Sequence, residues 1–257
     1  LIYEALDWKV PIFAHIPLIF GDDGKKMSKR HGATGTIEYQ RLGYTPAGMR
    51  NYLARLGWSH GDDEFFSTSD AIAWFNLTGI NKSPARFDFK KLDNINGKHI
   101  NSSNDSELIE DINRFNDVCE ENNLNSFEIS KVEKALYCLK QNSKKIPDLL
   151  NKAHFFLIDR PVDLEERAKA ALSNSGIHIL KELTPFLEDA TWTREGLEFA
   201  VNNYLADRHL KLGQLVQPLK AALSGRMSTP SVFDMMVLLG PNEVNERICD
   251  MAHKAIS

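Results

Sequence analysis

From Asn104 to the end of the chain the apolar residues return every three or four positions, and that period fits helices and no other regular element. Leu108, Ile112, Phe115 and Cys119 share one helical face, and Ile129, Val132, Leu136 and Leu139 share another. Asp163-Leu164-Glu165-Glu166 has capping-box form, with Asp163 predicted as the cap. Thr193 predicts the start of a helix reaching about Arg208. Leu212, Leu215, Val216, Leu219 and Leu223 mark the next, and Val244, Ile248, Met251 and Ala255 stripe the last. No long alternating pattern of the strand type occurs past position 100, so residues 105–257 are expected to form an all-helical domain.

The first hundred residues are mixed. Leu1–Trp8 reads as a short amphipathic helix feeding an apolar run, Val10–Phe20, whose Phe13–Phe20 portion has the form of a buried strand of an α/β sheet. Pro11 and Pro17 remove ladder donors and favour an edge position, and His15 reads as a packed strand residue. Gly21-Asp22-Asp23-Gly24 ends the run with turn chemistry. The loop that follows, Gly24–Gly32, carries Lys26 and Lys29 three residues apart between glycines. Flexible ammonium groups of this kind can follow phosphate charge as it moves. The loop is not of the Gly-x4-Gly-Lys-Ser/Thr type. Charge count alone leaves a solvated basic turn as the alternative.

Further along, Thr36–Leu42 reads as a helix ending at Gly43, and Thr45-Pro46 opens another with a cap and a proline at its first position. Met49, Tyr52, Leu53 and Leu56 continue that helix and Gly57 stops it, while Arg50 and Arg55 fall on other faces as solvent charges. Ser69-Asp70 starts a helix through Leu77, broken by Asn81-Lys82-Ser83-Pro84, and Arg86–Leu92 adds Lys90 and Lys91.

Charge is unevenly placed. The chain of 257 residues has a formal net charge of -4, yet residues 1–100 hold 13 Lys+Arg against 11 Asp+Glu, which leaves 31 − 13 = 18 against 35 − 11 = 24 for the rest. A polyanion partner is permitted by this distribution and not demanded by it. No apolar run is long enough for a membrane helix. Cys119, Cys138 and Cys249 lie far apart with no Cys-x-x-Cys pair, and read as buried thiols of a reducing compartment, neither metal ligands nor a disulfide framework.

Lys26-Met27-Ser28-Lys29-Arg30 resembles the KMSKS signature of class I aminoacyl-tRNA synthetases, and the run from Phe13 to Ala33 resembles its glutamyl, bacterial version. The likeness continues through Gly43-Tyr44-Thr45-Pro46, Asn51–Asp62 and Lys82–Asp88 with Lys91-Leu92. It resumes at Lys211–Gln214, Gln217–Gly225 and Thr229-Pro230 with Phe233. His15-Ile16-Pro17 is not the HIGH motif of these enzymes, which would lie upstream. Leu92–Gly97 is more polar than the family's run after Lys-Leu, which puts the local packing there in question.

The resemblance implies a mainly α chain in three parts. These are the end of a catalytic α/β domain with the KMSKS-type loop (1–35), a small α+β stem-contact module (36–104) and an all-helical anticodon-binding cage (105–257). It implies ATP binding by Lys26, Met27, Ser28, Lys29 and Arg30, with Lys26 and Lys29 compensating charge in catalysis. Anticodon contacts would come from Gln217, Lys220, Thr229, Pro230 and Phe233, with Lys220 standing where the family commonly has arginine. The full enzyme would activate L-glutamate with ATP, with Mg2+ expected, and transfer it to tRNA(Glu) as a cytoplasmic monomer. A metal held by this chain is not expected. The chain begins at Leu1 with what reads as the last strand of a sheet, so the expectation is the lower half of a longer enzyme, inactive alone. An enzyme that also charges tRNA(Gln), a stand-alone helical tRNA-binding module and a helical protein-interaction scaffold are the alternatives.

Overall fold

The computed structural model describes residues 1–21, 23–28, 35–119 and 124–254, with the backbone alone for 252–254. Two compact units emerge: the first is Leu1–Asn104 with Asp111–Cys119 and Lys144–Ile146, the second Asp105–Glu110, Glu120–Ser143 and Pro147–Ser257. The chain is mainly α, and among the described residues its strands are confined to the first unit.

The first unit opens with helix α1 (Ile2–Ala5) and strand β1 (Ile19–Phe20), followed by α2 (Thr36–Arg41) and α3 (Pro46–Gly57). Thr45 caps α3 as expected, its hydroxyl accepting from the Gly48 amide at 3.1 Å with Pro46 in the first turn. Helix α4 (Thr68–Trp74) is capped by Ser67, whose hydroxyl accepts from the Asp70 amide while the Asp70 carboxylate accepts from the Ser67 amide. It ends before Leu77, which belongs to a 3-10 turn, Leu77–Gly79. Strand β2 (Ala85–Arg86) pairs in parallel with β1, Ile19 opposite Ala85 and Phe20 opposite Arg86.

The long strand expected over Val10–Phe20 is therefore only two residues. Ile12, Phe13 and Ile16 are exposed, and so is His15, which is not a packed strand residue. Pro11 and Pro17 offer no amide to a ladder, and β2 meets only the last two residues of the run.

Helix α5 (Phe89–Ser102) runs straight through the polar stretch whose packing was in question. Asp88 caps it, accepting from the Lys90 and Lys91 amides, and Leu92, Ile95 and Ile100 supply its apolar face. Asn96 is fully buried and makes that face fit. Its carbonyl accepts from the Thr45 amide and hydroxyl, each at 2.9 Å, and its amide donates to the Lys144 carbonyl at 2.6 Å. Gly48 lets the two helices close on this residue, because a Cβ there would stand 2.2 Å from Asn96 Oδ1. Tyr39, Tyr44, Tyr52, Leu56, Phe87, Leu92 and Ile95 form the adjoining core.

The second unit is all helical where described. After α6 (Asp105–Asn116), which contributes to both units, come α7 (Ser126–Leu139) and α8 (Ile146–Leu157), then α9 (Glu166–Ala171) and α10 (Asn174–Glu188). The chain closes with α11 (Arg194–Arg208), α12 (Leu212–Ser224) and α13 (Val232–Lys254). Thr193 caps α11 as predicted. Asp163 does not cap α9, which starts later from Glu165 without a side-chain cap, because the Glu165 amide bonds instead to the Gly225 carbonyl at 2.9 Å. Helices α10, α11, α12 and α13 pack on one another around Leu183, Val201, Tyr204, Leu219, Met235 and Ile248. Gly240, at φ 78 and ψ 167, breaks α13 just before Pro241. Ala255 of the expected last stripe lies outside the described residues.

One side chain organises the C-terminal ends of two helices here. Arg247 is 2 % exposed, and its guanidinium donates to the carbonyls of Phe155 at 2.7 Å, Ile158 at 3.2 Å and Leu223, and to Glu243 Oε1 at 2.7 Å. Those carbonyls sit at the ends of α8 and α12, where helices run out of their own donors. A cation at that end also complements the helix dipole.

Candidate functional site

The basic loop leaves β1 through a tight turn. The Gly24 amide donates to the Gly21 carbonyl at 3.0 Å and the Gly21 amide to the Lys25 carbonyl at 2.9 Å, with Phe20 bridging antiparallel to Lys26. Gly24 has φ +73, a left-handed backbone that glycine adopts without strain. The Met27 amide donates to the Ile19 carbonyl at 3.0 Å, and its side chain packs on the first unit's core. Lys25 and Lys26 are exposed. Lys29, Arg30 and Gly32 lie outside the described residues. The described part of the loop is thus a clamped base from which ammonium groups extend, an arrangement able to receive a polyphosphate.

The second set of expected residues sits on α12 and on the approach to α13, two elements that pack together. Gln217 is exposed and Lys220 half-buried on α12, on either side of the buried Pro218 and Leu219. Helix α12 ends at Gly225 in the left-handed conformation. The Ser224 hydroxyl holds the turn by donating to the Lys220 carbonyl at 2.8 Å and accepting from the Arg226 amide at 3.1 Å. Thr229 and Pro230 precede α13 and do not open it: the helix begins at Val232, and the Thr229 hydroxyl donates to the Pro230 carbonyl at 3.2 Å. Phe233, in the first turn, is half-buried and retains a face toward solvent. Its neighbour Asp234 is buried and bound through both oxygens by Arg194 at 2.7 Å, which fixes that turn.

Sequence reasoning missed three things. Asn96 and His99 were lost in a stretch that looked merely polar, although His99 is buried with its Nε2 2.9 Å from Asn51 Oδ1. Burial, with Arg50 nearby, pulls the His99 pKa down. Arg247 carries no signal in a periodic pattern that treats every charge as solvent-facing. Arg55, read as a solvent charge, has Nε and Nη1 buried without a hydrogen-bond partner. No group of three His, Cys, Asp or Glu among the described residues is placed to hold a metal ion, and no helix there is long and apolar enough to cross a membrane.

Two family descriptions match. That of the tRNA synthetases class I (E and Q), catalytic domain, covers residues 1–94, and that of the anticodon binding domain covers residues 107–252. The "Glutamate--tRNA ligase 2" of Roseobacter denitrificans is 54% identical over 252 residues, 98% of this chain and 54% of that protein. The protein of the same name from Ruegeria pomeroyi is 53% identical over 255 residues, 99% of this chain and 54% of its own length. A crystal structure of a glutamate tRNA ligase from Elizabethkingia meningosepticum superposes with a TM-score of 0.78 at 27% identity, covering 98% of this chain and 53% of that one. The chain spans about half the length of the curated relatives it matches. With more than half of its residues inside the second of those matches, the chain belongs to the anticodon binding domain family.

Proposed function

We propose that this chain is the tRNA-binding part of a glutamate–tRNA ligase. The observation that carries the reading is the continuity of the likeness: relatives of that name align along 98% of the chain, through the basic loop at one end and the α12–α13 turn at the other. In this reading residues 1–35 close the catalytic domain, 36–104 form a stem-contact module and 105–257 read the anticodon.

The reaction joins the glutamate carboxylate to the α-phosphate of ATP, expels pyrophosphate, and passes the glutamyl group to the terminal ribose of the tRNA with release of AMP. Lys26 and Lys29 compensate the charge that builds on the phosphates, and Ser28 offers a hydroxyl to the same group. Met27, tied to the core, keeps the loop's base fixed. Arg30 extends the basic track, and Mg2+ would accompany ATP. The carboxylate nucleophile is already ionised at neutral pH, so no general base is required.

At the far end Gln217 and Lys220 offer donors from one side of α12, and Phe233 offers a ring on which an unstacked base can rest. Thr229 and Pro230 shape the backbone beside it. Lysine at position 220 supplies charge without a planar fork, so its contact is a single point. The partners are tRNA(Glu), ATP and L-glutamate, the setting cytoplasmic and the enzyme a monomer.

The test is titration of the chain with tRNA(Glu) transcripts altered at each anticodon base, repeated over a range of salt. Weaker binding to altered anticodons, lost in Lys220→Ala and Phe233→Ala, is expected. Equal binding to all transcripts would remove anticodon reading from the chain.

A further inference from the structure

The first unit contains a cavity of about 350 Å³ lined by the last turn of α3 and by the segment that leads into β2. Four of its lining residues are cations: Arg55, Lys82, Arg86 and Lys91. Lys91 is neutralised by Glu64 at 2.6 Å, and the hydrogen bond from Lys91 holds the Glu64 carboxyl below its usual range. The other three have no carboxylate partner within ion-pair distance among the described residues.

Arg55 is the telling member. Its Nε and Nη1 are buried and donate to no neighbour among the described residues. Arg55 thereby places a permanent positive charge beside the cavity. Lys82 and Arg86 stand exposed at the mouth. Arg86 also reaches toward the basic loop: its Nη2 lies 3.6 Å from where a Cβ on Gly24 would stand.

Three unpaired cations match the charge of about −3 that a diphosphate carries near neutral pH, and exceed by far the single charge of one phosphodiester. A cavity of this volume admits a compact free anion and is too small for the rod of an RNA duplex. We propose that this cavity is a diphosphate-binding pocket, distinct from the Lys26–Arg30 loop, with Arg55, Lys82 and Arg86 as its cationic lining. The two linked phosphoryl groups can come from inorganic pyrophosphate or from the end of a nucleoside diphosphate.

Calorimetric titration of the full chain with pyrophosphate, with ADP and with inorganic phosphate at low salt tests this. Pyrophosphate is expected to bind at one site, at least tenfold more tightly than phosphate. Arg55→Gln is expected to weaken it at least tenfold, and Lys82→Gln and Arg86→Gln several-fold each. Lys26→Ala should leave this binding unchanged, which separates failure of the pocket from failure of the loop's proposed role. Equal binding of ADP and pyrophosphate would assign the site to nucleotide termini, and preference for pyrophosphate to the free anion; either supports the pocket. Lys82→Gln and Arg86→Gln alter exposed side chains, so they report even if Arg55→Gln fails to fold. Pyrophosphate binding that is insensitive to these two substitutions, or lost only in Lys26→Ala, would overturn the proposal. So would its displacement by an RNA duplex in an Arg55-dependent manner.

Discussion

Arg247→Met removes a guanidinium and keeps most of the stem's volume, which isolates the polar work of that side chain. The substitution leaves three carbonyls, those of Phe155, Ile158 and Leu223, without their donor in a site where Arg247 is 2 % exposed. At about 1–3 kcal/mol for each orphaned acceptor the ceiling is roughly 9 kcal/mol. Partial entry of water and the fact that carbonyls at helix ends tolerate imperfect pairing place the expectation nearer 3–5 kcal/mol, the range for breaking a buried charged network. Glu243 adds little to the loss. It is 33% exposed and has Arg160 at 3.5 Å, so it is not stranded as a buried charge. Urea denaturation, with hydrogen exchange of the α12 amides as a local reporter, measures the change. The expected result is a lower midpoint with the largest loss of protection in the last turn of α12, and Arg247→Lys should recover part of it by reaching one or two of the carbonyls. A loss under about 1 kcal/mol would refute the idea that one side chain closes both helix ends.

Other outcomes follow from the same contacts. His99 and His154 both have pKa values lowered chiefly by burial, so the unfolded chain binds more protons than the folded one as pH falls below 6.5. Their contribution is fully present above that pH and is lost as pH drops through the lower folded values; His99→Gln should flatten the pH dependence of urea midpoints between pH 7 and 5. Burial pushes the Cys138 thiol up to about 12, and it donates to the Ala135 carbonyl at 3.1 Å. A thiol reagent at pH 8 should therefore label exposed Cys249 promptly and Cys138 only on unfolding, as peptide mass mapping would show. Gly225→Ala puts a Cβ 1.9 Å from the Asp163 carbonyl oxygen at φ +68, and should cost at least about 2 kcal/mol by thermal unfolding. Lys220→Arg should tighten tRNA binding several-fold if that residue meets a base edge, since a fork replaces a point charge.

Local rules were legible wherever a side chain acts on its own backbone. Thr45 and Thr193 cap the helices they were expected to cap, and Pro46 sits in a first turn, because each contact spans three residues or fewer. The helical stripes of α7, α11 and α12 were legible for the same reason. What the sequence could not reveal depends on partners far along the chain. The Asp163 cap failed because the Glu165 amide is taken by Gly225, and the long strand failed because β2 offers it only two residues. Asn96, Arg55 and Arg247 are polar residues turned inward, and a rule that sends polar residues outward misplaces all three. In the proposed sites the residue types could be read from the motif, while the clamped base of the loop and the delayed start of α13 could not.

The parallel pair of β1 and β2 has a bearing on how the protein comes into being. Ile19 and Phe20 leave the ribosome before the segment they hydrogen-bond to, Ala85–Arg86, which is synthesised only after α2, α3 and α4. Pairing so distant in sequence must wait for the intervening chain to be brought round, which makes it a late event in folding. The foot of the cationic loop is therefore set in place only once the module behind it has been made, so a nascent chain stalled before Ala85 would carry the loop's lysines without a surface to aim them.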